Sequence, residues 1–126
     1  MSVVGIGTDI VEITRIEKMR EPALSKLARR VLTDTELLHY QSIKHAYRFL
    51  AKRWAAKEAA SKALGTGIAA GVSFQHIEIQ SLPSGQPQLH FSGKALDFAK
   101  ELGATSWHIS ISDESHFATA FVVLSK

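Results

Sequence analysis

The chain has 126 residues, a formal net charge of +3 and no cysteine. This length is typical of one domain around one hydrophobic core, so we expect residues 1–126 to form a single domain. The lack of cysteine excludes disulfides, thiolate zinc sites and thiol nucleophiles. No apolar run is long enough to span a bilayer, and the N-terminal residues lack the regions of a secretory signal, which favours a cytoplasmic protein.

The first predicted elements are a strand and an interrupted helix. Residues 3–10 are apolar and β-branched, which indicates a buried strand, and Gly5 and Gly7 within it indicate a close backbone approach or a bulge. Thr14 is predicted to cap the helix that follows. Pro22 ends that helix and starts a second one, because proline is tolerated only in the first turn of a helix.

A long alanine-rich helix is the central element of the prediction. Thr33 caps a short helix that ends near residue 40, and the pattern over residues 46–64 predicts a long helix that stops at Gly65. The remaining elements are a hairpin, a helix and two strands, at residues 74–80 with 88–91, 92–102, 107–112 and 117–124. This order predicts an α+β domain in which a mostly antiparallel sheet packs on the long helix.

Two segments concentrate positive charge. Residues 15–30 contain six basic and two acidic residues, and residues 44–62 contain six basic residues and one acid. Basic helices on a small domain favour an anionic partner, although solvated helix faces would give the same composition. The basic residues of the first segment are Arg15, Lys18, Arg20, Lys26, Arg29 and Arg30.

Asp9 and Glu58 are the strongest candidates for metal ligands. Asp9 ends an apolar strand, where a charge is costly unless it is exposed, paired or bound to a cation. Glu58 lies among the cations of the long helix, with Lys62 one turn further on. Two carboxylates from separate elements, completed by water and a substrate phosphate, are a usual arrangement for Mg²⁺. On spacing alone, a surface ion pair between Glu58 and Lys62 is the simpler explanation.

His108 is the histidine with the most informative position, on an alternating strand between Trp107 and Ile109. A structural hydrogen bond is the commoner role of such a histidine, and catalysis is the alternative. The sequence contains no Walker loop, dinucleotide fingerprint or nucleophile elbow, so it indicates none of the corresponding enzyme classes.

Three segments together resemble a known family. They are GIGTDIVE at residues 5–12, RFLAKRWAAKEAASKALGTGI at residues 48–68 and HISISD at residues 108–113. In this combination the sequence resembles bacterial holo-[acyl-carrier-protein] synthases, the small class of 4′-phosphopantetheinyl transferases, over essentially its whole length. The pattern Trp54-x-x-Lys57-Glu58 with an upstream Gly7-x-Asp9 carries the resemblance.

The resemblance implies the fold of that family and a Mg²⁺-dependent reaction. Coenzyme A would donate its 4′-phosphopantetheine to a serine of apo-acyl carrier protein, and adenosine 3′,5′-bisphosphate would leave. The holo-carrier protein would then support fatty acid biosynthesis. The resemblance also implies a homotrimer with active sites between the subunits. Neither nucleic acid nor a membrane is expected as a partner.

The resemblance further implies roles for individual residues. Asp9 and Glu58 would hold Mg²⁺ against the coenzyme A pyrophosphate, and Lys62 would stabilise the charge there. The catalytic residues would be Glu58, Lys62 and His108, with His108 near the nucleotide phosphates. Residues that would shape the nucleotide pocket are Arg53, Ser61, Gly65, Ser110 and Ser112. Either Glu58 or a metal-associated water would accept the serine proton, and the sequence leaves this choice open.

Arg15 and Arg30 would dock the acidic carrier protein, because they match basic positions of the family's docking helix. Asp113 is a departure from the family, since many members have a second histidine there. A role assigned to that histidine therefore does not transfer to this chain.

Two other functions fit part of the sequence. A nucleic-acid-binding protein would explain the basic helices, but the chain lacks interleaved exposed aromatics and a recognised reader motif. Another Mg²⁺-dependent phosphoryl-transfer or nucleotide-hydrolysing enzyme would use the same carboxylates and lysine.

Overall fold

The structure, a computed structural model, describes residues 2–126. Besides a short 3₁₀ helix at Phe74–His76, these residues form five α-helices and five β-strands. In chain order they are β1 (Val3–Glu12), α1 (Ile13–Glu17), α2 (Ala23–Val31), α3 (Asp34–Ser42), α4 (Ala46–Ala63), β2 (Ile77–Ser81), β3 (Pro87–Phe91), α5 (Gly93–Glu101), β4 (Ser106–Asp113) and β5 (Phe117–Ser125). No helix within this part is long and apolar enough to cross a membrane.

The strands form two antiparallel sheets. One sheet has the order β1-β5-β4, and the other is the hairpin of β2 and β3. In the larger sheet Asp9 lies opposite Ala120, which lies opposite Ile111. The predicted α+β class with a mostly antiparallel sheet on a long helix is confirmed, and the structure adds that the hairpin is separate from the sheet that carries β1.

The long helix α4 lies directly against β1. A Cβ atom at Gly7 would lie 2.0 Å from the carbonyl oxygen of Ala59, and one at Gly5 would lie 2.2 Å from that of Ala63. Only glycine therefore fits at these two positions of the strand, and the predicted close backbone approach is confirmed. The approach fixes the depth of α4 on the sheet, and β1 continues past it to Asp9.

The helix boundaries differ from the prediction in several places, of which the start of α1 and the end of α3 are two. Thr14 does not cap α1, because it lies inside the helix and its hydroxyl donates to the Glu12 carboxylate at 2.8 Å. The predicted cap at Thr33 is confirmed, since its side chain accepts from the Glu36 backbone amide while Glu36 accepts from the Thr33 amide. The helix that follows runs two residues beyond the predicted end, to Ser42.

Candidate active site

Asp9 and Lys62 meet where β1 crosses α4. The Lys62 ammonium lies 3.0 Å from a carboxylate oxygen of Asp9 and donates to the Thr8 carbonyl at 3.1 Å. The lysine side chain is 52% exposed and the Asp9 side chain 19%. Helical spacing suggested an ion pair between Glu58 and Lys62. The structure pairs Lys62 with Asp9, so that simpler explanation is wrong. The lysine instead bridges from the helix to the strand.

Glu58 lies in the same region, within electrostatic range of Asp9. Burial raises the pKa of the Glu58 carboxyl, and the negative charge of Asp9 raises it further. The charges of Lys62 and Arg30 act on that pKa in the opposite direction. Glu58 thus lies within electrostatic range of one acid and two cations, which belong to β1, α4 and α2.

The C-terminal end of α4 forms an open corner. Gly65 and Gly67 both have positive φ values, of 83° and 63°, and a Cβ atom at either would meet no other atom within 4 Å. Backbone here is accessible to a ligand. Ser61 is different, because its side chain is fully buried and donates to the Glu58 carbonyl at 2.7 Å. A predicted role of Ser61 in the nucleotide pocket would therefore have to act through the helix backbone.

His108, Ser110 and Ser112 share one exposed face of β4. They project from the side of the sheet opposite α4, whereas Asp9 projects toward α4, because successive side chains on a strand alternate. The strand β5 lies between β1 and β4, which separates them by about 10 Å. A single chain therefore does not bring the predicted catalytic histidine together with Asp9, Glu58 and Lys62.

Arg53 lines a cavity of about 280 Å³ between α4, the β2–β3 turn and β4. Its guanidinium lies 4.7 Å from the ring centre of Phe49, and its Nε is 3.7 Å from a Glu36 carboxylate oxygen without a hydrogen bond within the described residues. Lys52 and Asp113 line the same cavity. The cavity presents two cations to a ligand, and its volume lies just below the range of about 300–1,000 Å³ typical of small-molecule sites.

The first basic segment is a solvent-facing surface. Arg15 on α1 and Arg30 on α2 are exposed, as are the other four cations of residues 15–30. Arg30 also lies 5.5 Å from the Phe74 ring centre and acts electrostatically on Glu58. The basic surface thus begins next to the carboxylates.

The second basic segment is largely neutralised within the chain. Four of its six cations have acidic partners, namely Arg48 with Asp113, Arg53 and Lys57 with Glu36, and Lys62 with Asp9. The sequence left two alternatives for this segment, a face that binds an anion and a face that is only solvated. Neither applies, because most of its cations are paired within the chain.

Comparison with known proteins assigns the chain to a family. The family model of the 4′-phosphopantetheinyl transferase superfamily matches residues 5–122. The chain belongs to the 4′-phosphopantetheinyl transferase superfamily. The resemblance noted in the three sequence segments is thereby confirmed.

Individual members of the superfamily are similar over nearly the whole chain. The holo-[acyl-carrier-protein] synthase of Shewanella frigidimarina is 57% identical over 124 residues, which are 98% of each chain. The crystal structure of the Neisseria meningitidis synthase has a TM-score of 0.88 and 41% identity, covering 99% of this chain and 100% of that one. The Bacillus anthracis synthase in complex with CoA (3′,5′-ADP) has a TM-score of 0.80 and 42% identity, covering 97% and 96%.

The sequence did not indicate the buried partners of this superfamily member's long helix. Lys57, a basic residue next to Glu58 in the sequence, is fully buried and pairs with Glu36. Arg48 pairs with Asp113 at 2.9 Å and also donates to the Glu114 and Ser115 carbonyls in the β4–β5 turn. Asp113 thus links that turn to α4.

Proposed function

We propose that the chain transfers 4′-phosphopantetheine from coenzyme A to a serine of apo-acyl carrier protein and releases adenosine 3′,5′-bisphosphate. The observation that carries the proposal is the meeting of Asp9, Glu58 and Lys62 at the junction of β1 and α4. Membership of the superfamily and similarity to a holo-[acyl-carrier-protein] synthase at 57% identity support it.

The carboxylates of Asp9 and Glu58 fit a Mg²⁺ site. No group of three or more His, Asp or Glu side chains within residues 2–126 is arranged to hold a metal. Two carboxylates suffice for Mg²⁺, which keeps several waters and accepts substrate phosphate oxygens. Burial raises the pKa of Glu58, and repulsion from Asp9 raises it further. A bound cation would relieve that repulsion. Bound there, Mg²⁺ would neutralise pyrophosphate charge and orient the donor.

Lys62 is placed to act on the pyrophosphate. Its exposed ammonium rests against Asp9 and can turn toward a phosphate oxygen while staying near the carboxylates. The serine oxygen attacks the phosphorus that carries the pantetheine arm, a new phosphodiester forms, and the bond to the adenosine bisphosphate breaks. Positive charge at the leaving phosphate lowers the barrier to that step. The serine proton would pass either to Glu58, whose raised pKa suits a base, or to a water beside the two carboxylates.

The nucleotide part of coenzyme A would be bound by residues outside this junction. We assign its phosphates to Arg53, which with Lys52 lines the cavity beside α4, and to His108 on the outer face of β4. Ser110 and Ser112 extend that exposed face, and the open backbone at Gly65 is accessible to a ligand. The cavity of one chain is too small for the whole of coenzyme A.

A homotrimer would complete the site. The outer sheet face exposes large apolar side chains, with Ile6 62%, Ile10 61% and Phe121 48% exposed. Such a face on a small protein marks an interface. Because His108 lies on this face and Asp9 does not, the face of one subunit could supply His108 to the carboxylates of another. We expect a trimer mass by sedimentation equilibrium and a monomer mass for Phe121→Glu. A native monomer at working concentration would contradict the proposal.

The carrier protein would dock on the basic surface of α1 and α2. Arg15 and Arg30 are its central pair, and both are exposed. Charges on this surface would steer an acidic partner and raise the association rate, an effect that salt weakens. Since Arg30 also acts on Glu58, docking here would place the acceptor serine beside the carboxylates. We place the reaction in the cytoplasm and in fatty acid biosynthesis.

Mass spectrometry of apo-acyl carrier protein tests the proposed function. Incubation with this chain, coenzyme A and Mg²⁺ should add one phosphopantetheine to the carrier protein and release adenosine 3′,5′-bisphosphate. Unmodified carrier protein together with salt-sensitive DNA binding would support the nucleic-acid alternative. Hydrolysis of coenzyme A or of nucleotides without transfer would support another phosphoryl-transfer enzyme.

A further inference from the structure

Lys57 is a buried charge to which the proposed reaction gives no role. Its side chain is fully buried, and its ammonium donates to the Val31 carbonyl at 2.7 Å, to the Phe74 carbonyl at 3.2 Å and to the Glu36 carboxylate. The three acceptors belong to the end of α2, to the turn before β2 and to α3. All three donors of the ammonium are therefore satisfied by separate elements of the fold.

Glu36 is the centre of this buried cluster. One of its oxygens accepts from the Thr33 backbone amide at 2.9 Å and from Lys57. The other accepts from the Ile79 backbone amide at 3.0 Å and faces Arg53. Burial lowers the pKa of Lys57, and the charge of Glu36 and its hydrogen bond to the ammonium oppose that shift. The cluster thus joins α3 and β2 to the middle of α4.

The other buried side chains in the middle of α4 are too short to fix the rotation of the helix by themselves. Between Ala51 and Ala63 the buried side chains other than Lys57 are alanine and one serine. Alanine packs closely but does not interlock with its neighbours, whereas long side chains determine register and rotation. Lys57 is the one fully buried long side chain in that stretch, and its ammonium contacts three partners on other elements.

Glu58 follows Lys57 directly in the helix. Successive residues of an α-helix point about 100° apart, so the direction of Lys57 sets that of Glu58. With Lys57 held toward α2 and α3, Glu58 points to the region of Asp9 on β1. A rotation or slide of α4 would move the carboxylate away from Asp9.

We propose that Lys57, held by Glu36, is a positioning residue for Glu58, because the buried pair fixes the rotation of α4 that brings the Glu58 and Asp9 carboxylates together. This inference rests on the proposed function, in which those carboxylates hold the metal. Outer groups that orient metal ligands typically contribute about 10- to 100-fold in metal affinity or activity. We expect an effect of that size when the pair is replaced.

The test variant is the double substitution Lys57→Met with Glu36→Gln. It removes the charges of Lys57 and Glu36 together, so neither of the two is left without its partner. The single acceptor oxygen of glutamine can accept from the Thr33 or the Ile79 amide but not from both, and Arg53 loses its contact with Glu36, so the melting temperature is followed beside metal binding. Mn²⁺ serves as the probe, with binding followed by electron paramagnetic resonance in the absence of coenzyme A and carrier protein. The melting temperature, kcat and the KM for carrier protein complete the measurements.

We expect the double variant to fold, to bind Mn²⁺ about 10- to 100-fold more weakly and to lose a similar factor in kcat. The KM for carrier protein should not change, because the docking surface lies on α1 and α2. Lys100→Met, at an exposed lysine of α5, should leave every value unchanged. Leu89→Ala, at a buried position of β3, should lower the melting temperature and leave Mn²⁺ affinity native.

Native Mn²⁺ affinity and native kcat in a folded double variant would overturn the proposal, and so would a loss of Mn²⁺ affinity in Leu89→Ala that matches its loss of stability. If the double variant does not fold, Glu36→Asp keeps both charges and shortens the arm that holds Lys57. Weaker Mn²⁺ binding is again expected, and unchanged binding refutes the positioning role. If the native chain transfers no phosphopantetheine, the proposed function fails, and the Mn²⁺ titrations still decide the positioning role.

Discussion

Gly7→Ala tests whether the close approach of β1 and α4 builds the site. The added methyl group would lie 2.0 Å from the Ala59 carbonyl oxygen, about 1.4 Å short of an ordinary contact of 3.4 Å, and 2.7 Å from the Ala63 amide nitrogen. Both neighbours are helix backbone, so no side chain can move aside and α4 must shift as a unit. Overpacking of this kind costs about 1–3 kcal/mol, and we expect the upper end.

Urea unfolding and transfer activity together measure the effect. With a typical dependence of about 2 kcal/mol per molar urea, a loss of about 3 kcal/mol lowers the midpoint by about 1.5 M. The shift of α4 also moves Glu58 and Lys62 away from Asp9, so transfer should fall even where the variant is fully folded. Gly103→Ala is the control, because it introduces only the strain of φ 81°, about 1–2 kcal/mol, far from the carboxylates. An unchanged midpoint and rate in Gly7→Ala would refute this account of how the site is assembled.

Two further predictions concern charge. Because the pKa of Glu58 is raised by burial first and by Asp9 second, Mg²⁺ affinity should start to fall at a pH above the usual glutamate range as the pH is lowered. Without metal, the free energy of unfolding should decrease as pH rises from the ordinary to the raised pKa, because the unfolded chain loses that proton first. Asp9→Asn should lower the Glu58 pKa only in part, which a carboxyl NMR titration would show, and a return to the ordinary value would contradict burial as the main cause. Arg15→Glu should raise the KM for carrier protein without changing Mn²⁺ affinity, whereas Arg30→Glu should also raise the Glu58 pKa, and equal effects of the two variants would argue against the placement of Arg30.

The sequence predicted the parts of the fold that depend on local patterns. The strand through Gly5 and Gly7, the cap at Thr33 and the long helix ending before Gly65 all follow from periodicity, capping and glycine placement. Asp9 and Glu58 could be paired as candidates because both are acids in contexts where an unpaired charge is costly.

The buried cluster could not be predicted from the same patterns. A helix with alanine on most of its surface has no clear polar side, so periodicity did not show that Lys57 points inward. Its partner Glu36 is 21 residues away in a helix of weak amphipathic character. Local sequence patterns also do not predict the order of strands in a sheet. The observed order β1-β5-β4 is what shows that His108 and Asp9 are apart within one chain.

The most direct test of the central claim is the rate of phosphopantetheine transfer by Asp9→Ala and Glu58→Ala, followed by mass spectrometry of the carrier protein. Replacing a residue that only orients a metal ligand typically lowers metal affinity or activity by about 10- to 100-fold. Loss of either carboxylate itself should therefore lower the transfer rate by more than about 100-fold. Combining Asp9→Ala with Glu58→Ala should lower the transfer rate little further than either substitution alone, because the two carboxylates act as a unit. Both single variants should unfold cooperatively near the native melting temperature. Native transfer rates in either folded variant would contradict the claim that Asp9 and Glu58 form the site.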